Sequence, residues 1–202
     1  MESKKQFTEV MKDLQGYFKK GERLALYNIA DNPKHKLLIR LLWKTGRRVG
    51  EILKLQVKDI VFEDKNILWH IEKKGRPTNK LKPIDEFTLN LLRDYIKENN
   101  LGGDAYIIHG HSYVEPMTRQ RVFQLVRKYC SKIGIEYVGT KRPHPHHFRH
   151  SFAIDIVRRA TSPADVRKLQ LLLEHSNLTT TESYLQFSSE DLRSLIEEED
   201  EG

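Results

Sequence analysis

Apolar residues recur at helical spacing along most of this chain and at strand spacing in only one region. Between residues 34 and 44, four leucines fall on one side of a helix. Ile67, Trp69 and Ile71 instead occupy alternate positions, which is the period of a β-strand with one buried face. The pattern predicts a mostly α fold with a small antiparallel β-sheet (α+β) near residues 58–84.

Residues that interrupt the pattern set the expected limits of each element. We expect helices at residues 5–20, 21–31, 34–44, 47–55, 86–98, 118–133, 146–159, 163–173 and 180–186. We expect strands at residues 60–62, 67–71 and 81–84, with residues 73–80 forming a loop. Proline cannot donate to a β-ladder, so Pro83 predicts that the last strand lies at an edge or ends there.

Charge is distributed unevenly along the chain. There are 35 Lys and Arg residues against 28 Asp and Glu residues, a net charge of +7. Residues 190–202 hold seven acids and one arginine, so the 189 residues before them carry +13. A basic body with an acidic tail favours a polyanionic partner such as nucleic acid. The alternative is a solvated basic surface followed by a disordered tail.

Composition also argues against several classes of protein. No apolar run approaches the roughly 20 residues that cross a bilayer, and the charged N-terminus leads into no apolar segment of a secretory signal. The single cysteine, Cys130, excludes an internal disulfide and argues against a cysteine metal site. We therefore expect a soluble intracellular protein, with Cys130 as a small core residue.

Four features carry candidate chemistry, and each has an ordinary structural explanation when taken alone. An arginine at a helix start, Arg48, is usually a surface ion pair, and Lys73 and Lys74 at a hairpin tip usually only aid solubility. Residues 144–150 hold four histidines, which suggests a metal hydrolase, but no acidic ligand lies among them. His175 precedes a Thr-rich segment that leads to Tyr184, and a lone tyrosine is more often a core residue.

Together these features resemble the tyrosine recombinase (phage integrase) family, with the Xer-like integrases as the nearest type. Residues 45–55 (TGRRVGEILKL) resemble its first arginine box, and residues 145–153 (PHHFRHSFA) its His-x-x-Arg box. Residues 173–176 (LEHS), followed by Tyr184, resemble the final box, and residues 71–75 (IEKKG) resemble the hairpin that carries a lysine. The resemblance covers residues 20–188 and implies these catalytic residues: Arg48, Lys74, His146, Arg149, His175 and the nucleophile Tyr184.

The resemblance implies site-specific cutting and rejoining of DNA through a 3′-phosphotyrosyl intermediate, without metal, ATP or another cofactor. The implied partner is double-stranded DNA, bound in the cytoplasm at the nucleoid by a homotetramer on synapsed sites, the free protein being a monomer. We expect basic residues near the motifs to contact DNA: Lys73, Lys80, Arg119, Arg121, Lys141 and Arg142. Two alternatives stay open, a DNA-binding module of the same fold with little turnover and a type IB topoisomerase-like relaxing activity.

The predicted organisation is a helical extension at residues 1–20, a catalytic domain at 21–188 and an acidic tail at 189–202. The N-terminal core-binding domain usual in the family is expected to be absent, which fits either a natural minimal integrase or an excised domain. Departures from the family pattern include Arg47, where an apolar residue is usual, and Glu174, where glycine is common. Neither removes a catalytic group.

Overall fold

The computed structural model describes residues 16–73 and 76–159, and the side chains of all of these except residues 72, 73, 76 and 157. Within them lie six α-helices, one 3₁₀ turn and one three-stranded sheet. In chain order these are α1 (Lys20–Ile29), α2 (Pro33–Thr45), α3 (Val49–Leu53), the 3₁₀ turn (Val57–Asp59), β1 (Ile60–Val61), β2 (Asn66–Lys73), β3 (Arg76–Pro83), α4 (Glu86–Glu98), α5 (Arg119–Lys132) and α6 (Pro145–Val157).

Helix α2 forms the centre of the core. Asn32 caps it by accepting hydrogen bonds from the amides of Lys34 (2.9 Å) and His35 (3.3 Å), and Pro33 occupies its first position. The helix packs against α1, α4 and α6, so apolar residues on several of its sides are buried. These residues are Leu37, Leu38, Ile39, Leu41, Leu42 and Trp43.

The sheet is antiparallel with strand order β1-β2-β3. Ile67, Trp69 and Ile71 of β2 are at most 2 % exposed, which confirms the strand predicted from their alternation. The predicted loop at residues 73–80 is wrong at 73 and at 76–80, because β2 extends to Lys73 and β3 starts at Arg76 and pairs with β2 along its whole length. Its side chains from residue 77 to 81 are exposed, so pairing between backbone groups defines this edge strand without an apolar pattern. Pro83 is its last residue.

The helices described confirm most of the predicted segments. Helix α4 spans 86–98 as predicted, because the Asp85 carboxylate caps it by accepting from the Thr88 amide at 3.1 Å. Helix α3 is shorter than the predicted 47–55, since Arg48 has an extended backbone and serves as its N-cap. The predicted helix at residues 5–20 is wrong at 16–19, which precede α1 without helical structure, and Phe18 there is fully buried. The rest of the predicted extension, the predicted helices 163–173 and 180–186, and the acidic tail lie outside the described residues.

The predicted fold class is confirmed: helices dominate and the sheet is small and antiparallel. Cys130 is fully buried, and burial raises the pKa of its thiol to about 12, as befits an unreactive core residue. Within residues 16–73 and 76–159, no helix is both long and apolar enough to cross a membrane.

Candidate functional site

A left-handed turn sets the position of Arg48. Gly46 ends α2 with φ 59° and ψ 15°, a conformation that glycine adopts without steric cost. The chain then turns into α3, where the Arg48 amide donates to Glu51 Oε2 and its Nη1 lies 3.2 Å from Glu51 Oε1. The Arg48 side chain remains 42 % exposed. Its guanidinium is therefore oriented by Glu51 and still accessible to a ligand.

Arg149 comes from α6 and contacts the same turn. Its side chain is buried, and its Nη1 donates to the Gly46 carbonyl at 2.7 Å across 103 residues of sequence. Gly46 lies only two residues before Arg48. The fold thus joins the two predicted arginines through one backbone group.

Arg47 and Glu51 form a buried charged layer beneath Arg48. Arg47 is 3 % exposed, its guanidinium lies over the Trp69 ring at 5.5 Å, and its Nη1 is 3.8 Å from Glu51 Oε2. Stacking on Trp69 and pairing with Glu51 allow a guanidinium to be buried where the family usually has an apolar residue. This departure from the family pattern is accommodated in the core.

His146 and Arg48 line one open cavity of about 170 Å³. Desolvation by the surrounding protein lowers the pKa of the His146 imidazole, and the positive charges of Arg149 and Arg48 lower it further. The lowered pKa favours the neutral imidazole, which is the form that can accept a proton. Of the predicted catalytic residues that the structure describes, Arg48 and His146 line the cavity, and Arg149 contacts the turn that precedes Arg48.

Arg119 reaches the same cavity from the first turn of α5. Its guanidinium lies directly against Gly50: a Cβ added at Gly50 would be 2.5 Å from Arg119 Nη2 and 3.1 Å from Cζ. Real Cβ atoms do not approach other heavy atoms this closely. Gly50 therefore leaves room for an arginine that sequence analysis could only name as one DNA contact among several.

The cavity is suited to an anion. Arg48, Lys54 and Arg119 bring fixed positive charge to its lining, and Glu51 is the acidic residue among the lining residues. Arginine forks match phosphate oxygens in geometry and keep their charge at any physiological pH. Across the described residues, no group of three or more His, Cys, Asp or Glu side chains is arranged to hold a metal ion.

The other predicted DNA contacts lie elsewhere on the surface. Lys80, Arg121, Lys141 and Arg142 are all exposed. Arg121 lines a second cavity with Lys34 and His35, and the Arg142 guanidinium lies over the Tyr137 ring at 5.4 Å. Lys74, His175 and Tyr184 lie outside the described residues, as does the side chain of Lys73.

Sequence analysis missed several residues of the cavity. Glu51 follows Arg48 at the i+3 position, a spacing that brings side chains together on a helix and that could have indicated the pair. His70 was read only as part of a strand, although its ring lines the cavity. Lys54 lies in the first motif, but the motif did not mark it as a site residue. No sequence signal places α5 beside α3.

His147, next to the site in α6, makes stability depend on pH. It is 2 % exposed, and burial, with smaller contributions from His144, His150, Lys141 and His146, lowers its pKa to about 3. An unfolded histidine has a pKa near 6.5, so below that pH protons bind the unfolded state more tightly. We expect protonation of His147 in the unfolded state to lower the free energy of unfolding by about 1 kcal/mol as the pH falls from 6.5 to 5.5.

Urea unfolding at the two pH values measures this effect. In the protein, His147 Nδ1 accepts a hydrogen bond from the His144 amide at 3.3 Å. His147→Gln keeps an acceptor for this amide and removes the titratable group. The variant should show a shallower pH dependence than the original protein. Equal slopes for the two proteins would contradict the assignment.

Comparison with known proteins gives a consistent result. The model of the phage integrase family matches residues 17–190. Tyrosine recombinase XerA of Pyrococcus horikoshii is 29 % identical over 190 residues, covering 94 % of this chain and 63 % of that protein. A tyrosine recombinase of Pseudothermotoga lettingae is 32 % identical over 154 residues, covering 76 % of this chain and 50 % of that protein. The chain thus spans half to about two thirds of the length of these relatives.

Solved structures share the fold. The crystal structure of XerA recombinase has a TM-score of 0.71 at 21 % identity, covering 89 % of this chain and 62 % of that one. The XerH site-specific recombinase bound to a palindromic difH substrate, in its post-cleavage complex, has a TM-score of 0.70 at 22 % identity. That match covers 91 % of this chain and 53 % of XerH.

Proposed function

Because this chain belongs to the phage integrase family, we propose that it cuts and rejoins double-stranded DNA at specific sites through a tyrosine nucleophile. The observation that carries the proposal is that two separate motifs meet at one open, positively charged cavity: Arg48 and His146 line it, and Arg149 binds the Gly46 carbonyl beside it. A DNA phosphodiester is the anion that such a cavity fits best in a protein of net charge +7.

The reaction we propose is an in-line phosphoryl transfer. The Tyr184 oxygen attacks phosphorus and forms a new O–P bond, while the bond from phosphorus to the 5′ oxygen breaks. The tyrosine proton passes to neutral His146, and Lys74 donates a proton to the departing 5′ oxygen. Rejoining is the reverse displacement, so the phosphotyrosyl bond conserves the energy and no nucleotide cofactor is required.

Charge stabilisation is the role of the arginines. Negative charge builds on the non-bridging oxygens as the nucleophile arrives, and Arg48 and Arg149 offer fixed donors to them. His175 supplies a further donor to a phosphate oxygen. The two guanidiniums thereby take the part that divalent cations play in many phosphoryl transferases.

Arg119 extends this phosphate site along the DNA backbone in our proposal. It lines the same cavity as Arg48. Its guanidinium lies against Gly50, and the residue is exposed, so a ligand in the cavity can reach it. The other basic candidates, Lys73, Lys80, Arg121, Lys141 and Arg142, would add phosphate contacts at greater distance. Binding should therefore weaken steeply as salt rises.

Gly50→Ala tests the placement of Arg119. The added methyl group must displace the guanidinium, so we expect weaker DNA binding and a slope of log K against log salt that is smaller in magnitude by about 1. Gly21→Ala is a matched control, because Gly21 is also the second residue of a helix and a Cβ there meets nothing within 4 Å. Fluorescence anisotropy at several salt concentrations measures both. Equal losses in the two variants would contradict the proposed contact.

The partners in this proposal are DNA and further copies of the chain. The structure neighbours include XerH on difH DNA and a lambda integrase dimer bound to a core site. By analogy we propose that four protomers assemble on two synapsed sites, that the free protein is a monomer and that it acts at the nucleoid in the cytoplasm.

Covalent capture of DNA tests the proposed function. The protein is mixed, with EDTA present, with nicked duplexes carrying inverted-repeat sites from the DNA that flanks its gene, and run on a denaturing gel. We expect a protein–DNA band that is absent for Tyr184→Phe. DNA binding on a native gel without a covalent band would instead indicate a binding module. Relaxation of a supercoiled plasmid, without joining of strands from two different sites, would indicate a topoisomerase-like activity.

A further inference from the structure

A chain of hydrogen bonds crosses the sheet at the wall of the cavity. His70 Nε2 lies 2.9 Å from Asp59 Oδ1, and His70 Nδ1 lies 3.0 Å from Asn79 Oδ1. Asp59 itself is 2 % exposed and accepts from the Gln56 amide at 2.9 Å through its other oxygen. One imidazole thus links the 3₁₀ turn, β2 and β3.

The Asp59 carboxylate fixes one feature of this ring. An ionised carboxylate only accepts hydrogen bonds, so His70 Nε2 carries a proton. Nδ1 meets the Asn79 side-chain amide, which can present either its oxygen or, when rotated, its NH₂ group. Both arrangements hold the same three segments together, and Asp59 is fixed to its own turn in each.

The location of His70 connects these hydrogen bonds to the proposed proton transfer. Ile67, Trp69 and Ile71 face the core, so His70 lies on the opposite face of β2, where it lines the cavity with Arg48 and His146. Along the sequence, His70 is four residues before Lys74, the proposed proton donor, and β2 ends at Lys73. His70 pairs directly with Asn79 across the hairpin.

We infer that the Asp59–His70–Asn79 chain fixes the base of the β2–β3 hairpin against the phosphate cavity and so makes His70 a positioning residue for protonation of the leaving 5′ oxygen. The inference rests on the proposed function, in which Lys74 is the donor. Two antiparallel strands alone make a weakly stable hairpin. Anchoring β2 to a buried carboxylate supplies the rigidity that proton transfer at hydrogen-bond distance requires.

The test replaces the leaving oxygen by sulfur. We expect His70→Ala to cleave an ordinary nicked substrate about 10–10²-fold more slowly in a single turnover, as misplacing a catalytic group by about 1 Å does. A 5′-bridging phosphorothiolate expels a thiolate, which needs no proton donor. On that substrate His70→Ala and Lys74→Ala should both regain nearly the original rate, whereas Arg48→Ala should stay slow.

Asn79→Ala is the second variant, because Asn79 is exposed and we expect the fold to tolerate its loss; Thr78→Ala, on the same exposed strand, is its matched control. Asn79→Ala should show a smaller, sulfur-rescued defect and Thr78→Ala none. A His70→Ala defect that persists with sulfur, or no defect on the ordinary substrate, overturns the inference. If Lys74→Ala is not rescued, the proposed donor is wrong; if the unaltered protein cleaves neither substrate, the proposed function is wrong.

Discussion

Arg48→Ala should slow strand cleavage about 10²–10³-fold, the loss typical when one preorganised donor to a developing oxyanion is removed. The Arg48 side chain is 42 % exposed, and its guanidinium pairs with Glu51, which also lies near Arg47. The fold should therefore tolerate the change, and the loss should appear in the chemical step. Single-turnover cleavage of a nicked duplex, at saturating protein, measures it.

Arg48→Lys is the control for this prediction. Lysine keeps the positive charge but lacks the planar fork that can donate to two phosphate oxygens and to Glu51 at once. We expect a rate between those of the original protein and the alanine variant, with an unchanged melting temperature. A rate for Arg48→Ala within threefold of the original would remove Arg48 from the proposed phosphate site.

Arg149 is less suited to this measurement because its roles overlap. Its buried guanidinium donates to the Gly46 carbonyl, so its removal would disturb the turn that presents Arg48. A buried partner left without its hydrogen bond costs stability as well as activity. Arg48, exposed at the cavity, separates the two effects.

Local sequence patterns predicted best the helices whose first turn is capped by a side chain just before it. Asp85 caps α4 and Thr118 caps α5, and both predicted segments agree with the structure to within a residue or two. The strand β3 escaped prediction at residues 76–80, because its Pro, Thr and Asn composition resembles a loop. It is a strand because β2 offers it a backbone edge, which no local pattern records.

The site divides in the same way. The resemblance to the family predicted Arg48, His146 and Arg149, and the fold brings these three near one another. The approach of Arg119 to Gly50 and the bond from His70 to Asp59 depend on how α5 packs on α3 and how β2 lies beside the 3₁₀ turn. These are tertiary contacts between segments with no shared sequence signature, so they emerge only from the structure.

Asp155→Ala should produce the largest loss of stability among the ion pairs described. Asp155 of α6 holds both terminal nitrogens of Arg23 in α1, with Nη2 donating to Oδ1 at 2.9 Å, and Arg23 is 2 % exposed over the Trp43 ring. Removing one partner leaves a buried charge uncompensated, which typically costs about 3–5 kcal/mol. Because the Asp155 side chain is 33 % exposed, we expect the lower end, about 3 kcal/mol.

Two further variants separate the buried charge from the lost contact. Glu86→Ala removes an exposed pair with Lys65 and should cost less than about 1 kcal/mol. The double variant Arg23→Met with Asp155→Leu removes both charges together, and we expect it to be more stable than Asp155→Ala alone, since apolar replacement of a whole buried pair is often neutral. Urea denaturation of the four proteins measures these differences. If the double variant were as unstable as Asp155→Ala, packing between α1 and α6, rather than an unpaired Arg23, would explain the loss.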